Sequence, residues 1–133
     1  MHPYSATLID HFRSPRNVGD LEPCDGMAEE TKDNVVVRVS VRVSGDTIDA
    51  VAFRSSTCVT MVAASSRLTE MATGLAVGDA LAITPEMLAS DLEQVPAHRR
   101  DRCELAVSVL RAALAQASRR GSTRQHESQE ATR

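Results

Sequence analysis

The sequence predicts an α+β fold in which helices pack on one face of a small antiparallel β-sheet. Two neighbouring segments, residues 35–43 and 47–53, have the composition of strands, and a Ser-Gly-Asp turn separates them. The residues that follow have the apolar spacing of helices. Strands followed by helices are typical of this fold class. A length of 133 residues fits one domain.

The first element is predicted to be a short helix over residues 5–12, with Ser5 as its N-cap. Leu8, Ile9 and Phe12 lie on one face of it, and the Pro- and Gly-containing segment 14–19 ends it. Residues 20–34 are polar and acidic, which predicts a loop, although a third strand within this segment stays open.

A hairpin follows. From Val37 to Val43, Val alternates with Arg or Ser, which gives one apolar and one polar face. The turn at residues 44–46 joins this strand to a second one from Thr47 to Phe53.

Three or four helices complete the chain. Residues 55–57 offer N-cap side chains for a helix that starts near Cys58 and ends before Gly74. Residues 75–83 form one or two helical turns, and Thr84 caps a helix that runs to about Gln94. The last helix starts near Asp101 or Arg102, and its apolar face ends at residue 117. We therefore predict a domain over residues 1–117 and a disordered polar tail over residues 118–133.

Composition excludes several classes of function. Aromatic residues make up 2% of the chain and the net charge is −3, which argues against nucleic acid or an anionic membrane as partner. We find neither a membrane-spanning segment nor a secretion signal. Three widely spaced cysteines do not indicate a disulfide framework. We therefore expect a cytoplasmic protein.

The cysteines are the main candidates for chemistry. Cys58 is predicted at a helix N-terminus, where the helix dipole stabilises a thiolate that could bind a soft metal or accept sulfur; the alternative is a small apolar residue at a strand–helix corner. Cys103 lies on an apolar helical stripe, so core packing is its simplest interpretation. Cys24, between Pro and Asp, is assigned no role. We expect His11 to cap or pack and His98 to be a solvated loop residue.

These residues resemble the U-type iron–sulfur cluster scaffold family (IscU and the N-terminal domain of NifU). Residues 4–19 are similar to the family's N-terminal signature, from Tyr4 to Gly19. Phe53 precedes Cys58 as it precedes the family's second cluster cysteine, and the segments after Cys58 and around Cys103 are similar too. The resemblance covers residues 4–115 and implies the same α+β fold.

The chain departs from the family pattern at several places, one of which is the family's chaperone-binding Leu-Pro-Pro-Val-Lys motif, represented here only by Val95-Pro96. The first family cysteine is absent, because the corresponding region reads Thr-Lys-Asp-Asn over residues 31–34. Strand phasing places Asp33 at the missing cysteine; a gap in the other direction places Thr31 there. Arg102 stands where the family has a His before its third cysteine. Thr57 and Val59 replace the glycines that flank the second cysteine.

The resemblance implies a scaffold rather than an enzyme. Such a protein receives sulfur from a cysteine desulfurase, assembles a [2Fe–2S] cluster from it and iron, and passes the cluster to acceptor apo-proteins. The implied ligands are Asp33, Cys58 and Cys103, with Asp101 or His98 as a fourth; this set would also suit zinc. Tyr4 could stack on a partner or on a second subunit. Two alternatives stay open: a binding module that docks on a desulfurase without holding a cluster, and a sulfur relay in which Cys58 carries a persulfide.

Overall fold

A computed structural model describes the backbone of residues 4–131 and the side chains of residues 4–119. The elements follow the order α1, three strands, then four helices, with a 3-10 turn at Ala97–Arg99 before the last. Their bounds are α1 Ala6–Arg13, β1 Gly26–Lys32, β2 Val35–Ser44, β3 Thr47–Ser55, α2 Val59–Ala72, α3 Val77–Leu81, α4 Pro85–Leu92 and α5 Arg100–Ala131.

The three strands form one antiparallel sheet in the order β1-β2-β3. The predicted hairpin is confirmed as β2 and β3, with Val39 opposite Phe53. A β-bulge lies between Arg42 and Val43, near the tight turn at residues 44–47.

The prediction of a loop over residues 20–34 is wrong for its second half, which forms β1. This strand is polar because only part of it faces the core, so its sequence lacks an apolar pattern. It is held by pairing with β2 and by α5, which crosses it so closely that a Cβ on Gly26 would stand 2.1 Å from the Ala113 carbonyl oxygen. Only glycine fits at that crossing.

The core lies between the sheet and the helices, as predicted. Alternate residues of β2, namely Val35, Val37, Val39 and Val41, are buried on the side that α2 and α5 cover. The helices contribute small and aliphatic residues, and Phe53 supplies the aromatic ring of the buried core. With so few aromatic residues, the core is filled by Val, Leu, Ile, Met and Ala, as the composition indicated.

The opposite face of the sheet is partly covered by the segment that leads into β1. The Leu21 N–H donates to Ser40 Oγ at 3.0 Å, and the Arg42 guanidinium donates to the Pro23 carbonyl at 2.9 Å. The peptide bond before Pro23 is cis. Val18 forms a parallel bridge with Phe53, which covers the outer edge of β3.

Helix α5 continues to Ala131, so its backbone differs from the disordered tail predicted for residues 118–133. Residues 118–131 contain no proline and several good helix formers, which lets a helix already nucleated upstream continue. Residues 132–133 lie outside the described part. The last described residue that α5 buries is Ala117, and the domain boundary placed there stays a prediction. In the described part of the chain, no helix combines the length and apolarity needed to cross a membrane.

Candidate functional site

The three residues predicted as ligands lie on segments that meet at one end of the sheet. Asp33 occupies the turn after β1, where Lys32 pairs with Val35. Strand β3 ends beside the start of β2, and there the Ser56 N–H donates to the Val36 carbonyl at 2.9 Å. Cys58 follows two residues later. The first turn of α5, which carries Cys103, reaches the same end through a contact between its neighbour Arg102 and Asp33.

Asp33 and Asn34 form the two-residue turn between β1 and β2. Their φ values are +50° and +65°, the left-handed region that a tight hairpin of this kind requires and that Asp and Asn tolerate. The Asp33 side chain is 70% exposed. Its carboxylate is therefore reachable from solvent.

Cys58 is the N-cap of α2, which confirms the predicted helix start. The prediction that a side chain of residues 55–57 caps the helix is wrong, and Ser56 Oγ instead accepts from the Val36 N–H at 3.0 Å. The Cys58 backbone is extended, and its carbonyl accepts the first helical hydrogen bond, from the Val62 N–H at 2.9 Å. The thiol caps no backbone N–H and lies half-buried at the edge of the core. The side chain is thus held beside the positive end of the helix dipole while part of it stays reachable.

Cys103 lies in a different environment, because its side chain has no exposed surface. Burial raises the pKa of this thiol from 9.0 to about 11; nearby Arg100 lowers the pKa, and Asp101 and Glu104 raise it further. The thiol is therefore protonated at neutral pH. Core packing, the simplest interpretation of its position in the sequence, describes Cys103 in this conformation.

Arg102 lies at the centre of a charged group that we call the sheet-end cluster: Lys32, Asp33, Asp101 and Arg102. The Arg102 side chain is only 6% exposed. Its Nη1 is 2.7 Å from Asp101 Oδ2 and 3.9 Å from Asp33 Oδ2. Lys32 Nζ lies 3.8 Å from the same Asp101 oxygen. Two cations and two anions thus neutralise one another.

The sheet-end cluster contains two buried atoms without a hydrogen-bond partner. These are Arg102 Nε and Asp101 Oδ1. A buried polar atom left unpaired carries a desolvation penalty, so this arrangement is not optimised for stability alone.

The predicted ligands do not form a metal site in this structure, where Asp33 lies 3.9 Å from the Arg102 guanidinium. Among the side chains of residues 4–119, no group of three or more His, Cys, Asp or Glu is arranged so that it could hold a metal ion. Of the two candidates for a fourth ligand, Asp101 contacts Arg102 and Lys32, and His98 is exposed. The ligand role of Asp33, Cys58 and Cys103 stays a prediction.

The N-terminal segment is tied to α2 by a second polar network. His11 is buried, and its Nδ1 lies 2.8 Å from Ser66 Oγ, which also accepts from the Arg16 N–H at 2.9 Å. Asn17 donates to Thr69 Oγ1 at 3.0 Å. The prediction that His11 packs rather than ligates agrees with this burial and hydrogen bond. Tyr4 is half-buried against the core.

Sequence reasoning missed the burial of Arg102, which it noted only as a departure from a family histidine. A signal was present, since Arg102 lies four residues before Ala106 and seven before Val109, both buried. An arginine on the apolar stripe of a helix indicates a buried charge that needs an acidic partner.

The fold is an antiparallel sheet with a helical layer on one face, and Cys58 and Cys103 lie at the starts of two helices beside one sheet end. The sequence matches the family described as NifU-like N terminal domain over residues 3–124. The chain belongs to this family, as the resemblance predicted.

Relatives and solved structures agree with this assignment. The chain is 35% identical over 115 residues to the iron–sulfur cluster assembly scaffold protein IscU 1 of Archaeoglobus fulgidus, covering 84% of this chain and 74% of that protein. It is 31% identical over 119 residues to IscU of Escherichia coli K12, covering 84% and 91%. A NifU-like N-terminal domain from Brucella abortus superposes with a TM-score of 0.74 at 13% identity over 86% of this chain and 94% of that one, which supports the fold alone.

Proposed function

We propose that this protein is an iron–sulfur cluster assembly scaffold. The observation that carries the proposal is the similarity to proteins named as such scaffolds, at 35% identity across most of this chain. The position of Cys58 at the start of α2 supports it, because a half-buried thiol at a helix N-terminus is suited to accept sulfur or to ligate iron.

Sulfur transfer uses Cys58 alone, whose side chain is partly reachable. The Cys58 thiolate attacks the terminal sulfur of a persulfide on a cysteine desulfurase. The S–S bond of the donor breaks, the donor cysteine leaves as a thiolate, and Cys58 becomes the new persulfide, with no net oxidation. The positive end of the α2 dipole stabilises the negative charge on the attacking sulfur and on the product.

Binding of iron as cargo needs more. Cys103 has to become reachable and lose its proton, and Asp33 has to leave its contact with Arg102. With those movements, two thiolates and one carboxylate would surround the metal, with Asp101 as a further oxygen ligand. This donor set accepts iron and would also accept zinc.

The partners that follow from this function are a cysteine desulfurase and apo-proteins that take the finished [2Fe–2S] cluster. Both encounters need reduced cysteines, so we propose that the protein works in the reducing cytoplasm.

Anaerobic reconstitution tests the proposal. The full chain is incubated with ferrous iron, cysteine and a desulfurase, and its visible absorption is recorded. We expect the wild type to develop the absorption of a [2Fe–2S] cluster and Cys58→Ser to develop none. Cys24→Ser is the matched control and should behave as wild type. No absorption above the protein background in the wild type would contradict scaffold activity.

A sulfur relay is a second candidate, favoured by the contrast between the two cysteines. Cys103 is fully buried with a thiol pKa of about 11, whereas Cys58 is partly reachable. In this function Cys58 takes up the sulfur and passes it on without bound metal. A protein that shows a one-sulfur mass increase on Cys58 and no iron after reconstitution would be a relay.

If a desulfurase instead captured the Cys58→Ser/Cys103→Ser double variant, with no sulfur adduct on the wild type, the chain would be a binding module.

A further inference from the structure

The sheet-end cluster has a feature that sulfur transfer does not use: a buried arginine between two carboxylates. We propose that the Arg102 guanidinium is a resident cation that prevents Asp33 and Asp101 from binding a metal ion, and that it has to move away before either carboxylate can ligate iron. The relevance to cluster assembly rests on the proposed function; the blocking itself does not.

The geometry gives Arg102 the position of a bridging cation. A single nitrogen, Nη1, contacts Oδ2 of Asp101 at 2.7 Å and Oδ2 of Asp33 at 3.9 Å. Carboxylate oxygens are the ligands that hard divalent cations use; here the Asp101 oxygen accepts a hydrogen bond from the guanidinium, and the exposed Asp33 oxygen lies in a longer ion-pair contact with it. Arginine stays charged throughout the physiological pH range, so this cation is not removed by deprotonation.

The charge balance also disfavours a second cation. Lys32 lies 3.8 Å from Asp101 Oδ2, on the oxygen that Arg102 already contacts. The cluster therefore has no net negative charge to attract a metal. Without the Arg102 charge, the two carboxylates would face Lys32 alone, and the cluster would carry a net charge of about −1.

Burial distinguishes this contact from an ordinary surface ion pair. The Arg102 side chain is 6% exposed, whereas Arg38, which likewise lies between two carboxylates, is 40% exposed. Arg102 cannot swing into water without a local movement. Its Nε and the Asp101 Oδ1 are buried without partners, so this closed arrangement sacrifices hydrogen bonds that a rearranged one could recover.

Titration of the full chain with Mn²⁺ alone, followed by the electron paramagnetic resonance signal of free Mn²⁺, tests the inference. We expect Arg102→Gln to bind Mn²⁺ roughly tenfold more tightly than the wild type or better, because one repelling charge is removed next to the carboxylates. Adding Asp33→Asn should abolish this gain. Arg102→Lys keeps the charge and should bind as weakly as the wild type. Arg38→Gln is the matched control and should give a much smaller gain, because its carboxylates are exposed and Asp20 keeps its contact with Arg54.

Two results would overturn the inference. One is a folded Arg102→Gln variant, checked by circular dichroism, whose Mn²⁺ affinity equals that of the wild type. The other needs no variant at Arg102: wild-type protein that already binds Mn²⁺ at micromolar concentration and loses this binding in Asp33→Asn, whose exposed position leaves the fold intact. The titration uses neither sulfur nor a desulfurase, so its outcome is separate from that of the reconstitution test.

Discussion

Two arginines in different regions of the molecule have ion-pair contacts of nearly the same length in different surroundings. Arg16, in the N-terminal segment, and Arg102, in the sheet-end cluster, each lie 2.7 Å from one carboxylate oxygen and 3.9 Å from another. The Arg16 side chain is 36% exposed and the Arg102 side chain is 6% exposed. Each guanidinium has one buried nitrogen without a hydrogen-bond partner, Arg16 Nη1 and Arg102 Nε, but water screens the ion pairs of the more exposed Arg16 more strongly. Because the two arginines differ in burial, we expect ion pairs of equal length to contribute differently to stability and to function.

Removal of each arginine gives the largest expected difference between the two regions. Arg102→Ala leaves Asp101 with only the longer contact to Lys32; because of that contact and the 27% exposure of the carboxylate, we expect a loss of about 2–4 kcal/mol in the free energy of unfolding, somewhat below the fully buried case. Arg16→Ala should cost less than about 1 kcal/mol. Urea denaturation of the two variants measures both values, and equal losses would contradict the distinction.

Two adjacent serines on α2 test whether the polar network stabilises the N-terminal region. Ser65 and Ser66 are both buried, but only Ser66 Oγ has partners, at His11 and the Arg16 N–H. Ser66→Ala should lower the free energy of unfolding by about 1–3 kcal/mol, because it leaves buried groups unpaired. Ser65→Ala is the matched control and should be neutral or stabilising. Similar losses for both would show that this network does not hold the segment.

Acid should weaken the N-terminal region through His11. Burial lowers the pKa of His11 below its ordinary value of 6.5; Arg16 and Arg67 lower it further, while Glu70 and Asp10 raise it. The unfolded chain therefore binds more protons near that pH, so stability rises with pH through this window and is lost as pH falls below about 6.5. Urea midpoints from pH 5 to 8 should show this slope.

Two histidine variants serve as references for the pH series. His11→Gln should flatten the slope, whereas His98→Gln, at an exposed position, should leave it unchanged. A slope that persists in His11→Gln would assign the pH dependence to other groups.

The smallest effect on stability is expected at Asp33. Its side chain is 70% exposed and its contact with Arg102 is long, so Asp33→Asn should change the free energy of unfolding by less than about 0.5 kcal/mol. Urea denaturation measures this value next to that of Arg102→Ala. A loss above 1–2 kcal/mol would mean that the turn contributes to stability beyond this ion pair.

Local sequence patterns predicted the elements whose own residues determine them. The alternation from Val37 to Val43 predicted β2, and the cap at Thr84 predicted the start of α4, where the Thr84 side chain accepts from the Met87 N–H. Strand β1 was not predicted from the sequence, because its pairing depends on β2 and on the close approach of α5 at Gly26. Those contacts join residues that are far apart in the chain.

The site divides in the same way. The helix start at Cys58 could be predicted because the end of the strand and the start of the helix are contiguous in the sequence, although no side chain of residues 55–57 caps the helix. The contact of Arg102 with Asp33 could not, because it joins residues 69 positions apart that tertiary folding alone brings together. The resemblance predicted the family. The contacts of residues that depart from the family pattern, such as Arg102, could be found only in the structure.

The most direct test of the account is mass spectrometry of the wild-type chain after treatment with a cysteine desulfurase and cysteine. The account predicts a one-sulfur adduct on Cys58, with Cys103 unmodified because its thiol is fully buried. An adduct on Cys103, or equal adducts on Cys24 and Cys58, would contradict the claim that Cys58 is the sulfur-accepting thiol.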